Sequence, residues 1–144
     1  MTPERLTRDL LDVMPYWHNK LVRPLKKSLR GKMSLDAYYC IQTVHRCGPL
    51  SVTELSQRMK VPKQRVSKLV DMLCTAGFLL RTEDLSDRRA VKIGVTKQAM
   101  DYIRNSYYQD EKSLAGLQKR LSPEELEELG SALETLLHLL PKLG

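Results

Sequence analysis

The sequence has little of what a secreted, membrane-spanning or catalytic chain needs. No apolar run in its 144 residues approaches the 18 or so of a membrane span, and the opening MTPERLTRDLL lacks the apolar stretch of a secretory signal. A cytoplasmic, non-membrane protein is expected. Cysteine is scarce: Cys40, Cys47 and Cys74 fit neither a zinc knuckle nor a redox CxxC, and their odd number argues against a disulfide framework. All three are expected as reduced, buried thiols. His18, His45 and His138 are scattered with no paired ligand spacing, which leaves no expected metal. G-x-S-x-G, P-loop and HExxH motifs are also missing, and the acids fall at helix starts or on polar faces, so neither an enzyme nor a cofactor is expected.

What the chain does have is positive charge, unevenly spread. Net charge is +5 over residues 1–50, +5 over 51–100 and −3 over 101–144. A basic front facing a polyanion and a tail with another task follow from that division. Strand-favouring aromatics are few while Leu, Lys, Arg and Glu abound, and the length suits one domain, so a single mainly helical domain over 1–144 is expected.

The pattern along the chain fills in the elements. From Leu6 the apolar positions Leu10, Val13, Trp17, Leu21 and Leu25 keep helical spacing, interrupted by Pro15 and Pro24, which either kink this helix or split it in two. Gly31 closes it. Ser34 is an N-cap for a helix to about Arg46, ended by Gly48-Pro49. Ser51 and Glu54 have capping-box spacing for a short helix to about Met59. Pro62 then sets the first turn of another, with Val66, Leu69, Val70 and Leu73 as its apolar stripe and Gly77 as a left-handed cap. Two short helices joined by a tight turn form a helix-turn-helix outline.

After Gly77, FLLRT and VKIGV read as a hairpin, the second strand turning Val91, Ile93 and Val95 inward. Thr96 caps a long helix carrying Met100, Ile103, Tyr107, Leu114, Leu117 and Leu121. Ser122-Pro123-Glu124-Glu125 opens another, with Leu126, Leu129, Leu133, Leu136 and Leu140. These seams need an apolar cover, from the first helix or a second copy of the chain.

The polar face of the helix after Pro62 holds Gln64, Lys68, Asp71 and Thr75, with Arg65 and Ser67 on its shoulders and Lys63 in its first turn. Arginine and lysine can donate to guanine O6 and N7, and glutamine can pair with adenine, so this face suits a DNA major groove. The hairpin loop DLSDRRA adds Asp87, Arg88 and Arg89. A loop arginine gains from the negative potential of a narrow minor groove, and Asp87 can brace Arg89.

The run VPKQRVSKLVDMLCTAGFLLRTEDLSDRRAVKIGVT resembles the winged helix-turn-helix of the multiple antibiotic resistance regulator (MarR) family, and GPLSVTELSQRM is similar to that family's preceding helix. The resemblance implies a mainly α fold with a small β-hairpin: a winged helix-turn-helix lobe over 34–96, flanked by dimerisation helices over 1–33 and 97–144. It implies a homodimeric repressor that binds pseudo-palindromic double-stranded DNA. Lys63, Gln64, Arg65, Ser67 and Lys68 would read the major groove, Arg89 would enter the minor groove braced by Asp87, and Arg88 would lie near phosphates. It also implies an effector, an aromatic or other anionic small molecule, for which Tyr16, Trp17, Met33, Tyr38 and Tyr39 are the aromatic and polarisable candidates. The competing expectation is a winged-helix interaction module whose basic face binds an acidic protein or RNA.

Overall fold

The computed structural model describes residues 1–29, 31–83, 91–108, 116 and 118–143. Two compact units are formed, one by Leu25–Ser106 and one by Met1–Pro24 with Tyr107–Gly144.

In the second of these units, α1 (Pro3–Trp17) starts at Thr2, whose hydroxyl accepts from the Arg5 amide, with Pro3 pre-set for the first turn. Its Leu6, Leu10, Val13 and Trp17 stripe is exposed. The chain then passes through one π-helical turn (His18–Val22) into α2 (Arg23–Leu29), so a widened turn stands between Pro15, inside α1, and Pro24, in the first turn of α2. Near the other end of the chain, a 3-10 turn at Gln118–Arg120 precedes the reciprocal Ser122/Glu125 capping box that opens α7 (Pro123–Leu139). Leu126, Leu133 and Leu136 are half-buried, while Leu129 and Leu140 are exposed. Leu114 and Leu117 of the expected seam lie outside the described residues.

The Leu25–Ser106 unit contains the core. Its centre is α3 (Leu35–Cys47), capped by the Ser34 hydroxyl and ended at Gly48, which buries Ala37, Tyr38, Cys40, Ile41 and Val44. The helix α4 (Val52–Met59) opens with the full capping box: the Glu54 amide donates to Ser51 Oγ and the Ser51 amide to the Glu54 carboxylate. It turns out through Lys60, which adopts a left-handed φ of 55°. The next helix, α5 (Lys63–Thr75), buries Val66, Val70 and Leu73, with Leu69 half-buried.

The end of α5 is a Schellman motif. Gly77 (φ +83°) lets the Phe78 amide reach the Leu73 carbonyl at 2.8 Å and its own amide reach that of Cys74 at 3.1 Å. β1 (Leu79–Glu83) then pairs antiparallel with β2 (Val91–Val95), Leu79 opposite Val95 and Glu83 opposite Val91. Leu50 adds a one-residue bridge to Ile93, giving and receiving one hydrogen bond, which pins the hairpin to the segment between α3 and α4. That bridge carries no sequence signal. Ile93 is fully buried, but Val91, at the loop end of the ladder opposite Glu83, is 45% exposed, which corrects its expected inward position.

The Thr96 hydroxyl ties three elements together. It donates to the Gly77 carbonyl at 2.7 Å, with that of Phe78 at 3.2 Å, and it accepts from the Ala99 amide at the start of α6 (Lys97–Tyr108). From α6, Ile103 enters the core, and Tyr102 packs on Phe78 and donates to the Leu29 carbonyl at 3.0 Å. Burial pushes the Tyr102 phenol above its ordinary pKa. The cysteines divide three ways. Cys40 is buried and its thiol is pushed up to about 12, mainly by burial and secondarily by Cys74. Cys74 is half-buried, and Cys47, expected to be buried, is exposed at the last residue of α3.

Candidate nucleic-acid interface

Burial of Val66, Val70 and Leu73 fixes the rotation of α5 and so decides which of its side chains reach water. Lys63, Gln64, Arg65, Lys68, Asp71, Met72 and Thr75 are exposed, and Ser67 is half-buried. The five expected reading positions are therefore brought onto one outer surface, with Met72 as an exposed apolar neighbour that the polar pattern did not single out.

Among the described residues two ion pairs connect this surface to the rest of the unit, and a third joins the hairpin to α4. Arg65 Nη2 donates to Asp36 Oδ2 in the first turn of α3, 29 positions earlier. Arg81 Nη2, on β1, donates to Asp71 Oδ1, joining the hairpin to α5. Lys92 Nζ, on β2, donates to Glu54 Oε1 at 2.7 Å, joining the hairpin to α4. This bond and the Ser51 amide and hydroxyl hold the Glu54 carboxyl below its ordinary pKa. Asp36, Arg81 and Lys92 were absent from the sequence reading of the site. An outward arginine on a strand beside an acid-bearing helix face was the available clue for Arg81.

Asp87, Arg88 and Arg89 lie outside the described residues; the strands that lead to them, ending at Glu83 and resuming at Val91, are described. Of the five residues expected to line an effector site, Met33 and Tyr38 are buried in the Leu25–Ser106 unit, and Tyr39 is exposed with its ring 6.1 Å from that of Tyr38. Tyr16 and Trp17 are exposed on α1. Among the described residues no group of three or more His, Cys, Asp or Glu side chains could hold a metal ion, and no helix is long and apolar enough to cross a membrane.

Two helices joined by a tight turn, with an exposed polar second helix and a hairpin pinned beside it, define a winged helix-turn-helix. Residues 33–90 match a family model described as MarR family, which is what this stretch of the chain is similar to. Among curated relatives it is 31% identical over 78 residues to the HTH-type transcriptional regulator PapX of Escherichia coli, covering 54% of this chain and 48% of that one. It is 27% identical over 104 residues to the uncharacterized HTH-type transcriptional regulator YfiV of Bacillus subtilis, covering 72% of this chain and 65% of the relative. The chain thus spans about half to two-thirds of the length of these two relatives. Among solved structures, a MarR family protein from Bacillus stearothermophilus shares the fold with a TM-score of 0.75 at 21% identity, covering 97% of this chain and 99% of that one. Apo MarR from Escherichia coli does so with a TM-score of 0.63 at 18% identity, covering 95% and 98%.

Proposed function

We propose that the chain is a sequence-specific DNA-binding transcriptional regulator that acts as a homodimer and represses until a small effector binds. One observation carries the DNA reading: α5 is held by its buried stripe so that Lys63, Gln64, Arg65 and Lys68 share an exposed surface beside the hairpin. Such a helix fits the major groove, where arginine and lysine contact guanine and glutamine contacts adenine. Within this reading Ser67 bonds to bases or phosphates, Arg89, braced by Asp87, enters the minor groove, and Arg88 stays at the phosphates.

The homodimer is supported by the exposed apolar side chains of α1 and α7, among them Leu10, Leu11, Leu129 and Leu137, which a second copy would cover. Two-fold symmetry then requires half-sites about 10 bp apart. The effector reading rests on Tyr16, Trp17, Met33, Tyr38 and Tyr39, and an aromatic acid that binds the folded chain would raise its melting temperature.

Fluorescence anisotropy with a duplex selected by the protein from a randomised pool, at two salt concentrations and with random competitor, tests the reading. Tight, salt-dependent binding that survives competitor is expected. Equal displacement by any duplex would leave a basic interaction module in its place.

A further inference from the structure

The first turn of α5 breaks a local rule. A helix start favours an acid and a side-chain cap, because its free amides and dipole present positive charge. Here Pro62 stands at the N-cap with no side-chain acceptor, and the first turn contains no acid. It carries Lys63 and Arg65 instead. Helix stability does not explain two cations there, so their reason lies outside the helix.

For Arg65, the compensating charge comes from another element. Asp36 sits in the first turn of α3, on backbone held by the Ser34 cap, one residue before the fully buried Ala37. Its carboxylate therefore projects from a rigid support. It engages one guanidinium nitrogen, Nη2, and leaves the remaining N–H groups of Arg65 available to a further acceptor. Both side chains are substantially exposed, 62% for Arg65 and 43% for Asp36, and ion pairs this open do little for stability. What such a pair does do is select one arrangement of a long, rotamer-rich side chain before any ligand arrives, which lowers the ordering cost of binding.

We infer that Asp36 is a positioning residue for DNA recognition: it holds Arg65 so that its free N–H edge is presented at a set place beside Gln64 and Lys68. This rests on the DNA-binding reading above. The Asp36 charge has a second consequence, since it repels phosphates wherever Arg65 is not correctly engaged. Removing it raises affinity for arbitrary duplexes while lowering affinity for the preferred one, so the ratio of the two affinities is the quantity Asp36 controls.

The test uses the full chain, the duplex it selects from a randomised pool, and a scrambled duplex of the same composition. Asp36→Asn is expected to lower the selected-to-scrambled affinity ratio roughly tenfold, the scale of one lost base contact, with the melting temperature unchanged within a few degrees. Asp36→Glu restores most of the ratio, and in an Arg65→Ala background Asp36→Asn leaves the ratio unchanged while raising affinity for both duplexes alike. An unchanged ratio in Asp36→Asn overturns the inference, as does a loss of equal size in the Arg65→Ala background, which would mark a defect of the fold. Failure of the parent reading looks different: the unmodified chain would then bind both duplexes equally.

Discussion

Gly77 has a φ of +83°, where a side chain costs about 1–2 kcal/mol. A Cβ there would also lie 2.7 Å from Gln98 Oε1, the movable end of a long side chain, so backbone strain dominates. Gly77→Ala should therefore lower the unfolding free energy by that amount, read as a lower urea midpoint at unchanged slope. Glu54 gives a pH dependence. Its folded-state pKa lies below the ordinary 4.5, so the unfolded chain binds the proton more readily. The stability this group contributes is present above about pH 4.5 and is lost as pH falls through the folded value. Melting curves from pH 6 to pH 3 should show a shallower acid loss in Glu54→Gln than in the parent chain. The thiols order by access: a disulfide reagent at pH 8 should modify exposed Cys47 first and reach Cys40 only on unfolding, because burial keeps the Cys40 thiol protonated.

Among the elements, the hairpin depends on few anchors. Ile93 is wholly buried and bridges to Leu50, so Ile93→Ala should cost about 2–4 kcal/mol in urea unfolding, far more than Val91→Ala at the exposed end of the same strand. Most elements were legible in the sequence because their signals are local. The Ser34, Ser51, Ser122 and Thr96 caps act within three residues, and Gly77 acts within its own turn. What escaped was non-local or depended on packing. The Leu50–Ile93 bridge joins positions 43 apart in the chain, and Arg65 finds Asp36 across 29. Pro15 and Pro24 marked an interruption of this helix, and between them the chain takes a π-turn, a detail that periodicity does not encode. For the site, the exposed α5 face was readable from its stripe, but the ion pairs that hold it to α3 and β1, and the one that holds β2 to α4, were not.

At the scale of the whole molecule, charge is segregated along the chain, +10 over residues 1–100 and −3 over the remainder. In the proposed role each phosphate contact contributes about −0.9 to the slope of log affinity against log salt. Arg88→Ala, which removes a phosphate contact, is expected to reduce that slope by about one with base choice kept. Lys68→Ala should instead relax the choice of base at one position per half-site, by about 1–3 kcal/mol. Anisotropy titrations across salt and single-base variants distinguish the two. Light scattering at micromolar concentration should give twice the 16.6 kDa chain mass, and substituting acids at Leu129 and Leu137 should return it to one.

The Thr96 hydroxyl has a consequence for transplanting this reading head. Its acceptors, the carbonyls of Gly77 and Phe78, stand between α5 and β1, and the amide it receives opens α6. A graft cut at the glycine, where the helix visibly ends, would separate that hydroxyl from both carbonyls and from the Leu50 partner of β2. The portable cassette therefore runs from Ser34, the cap of α3, through the first turn of α6, and valine, which matches threonine in shape, is the replacement at position 96 that its junction cannot accept.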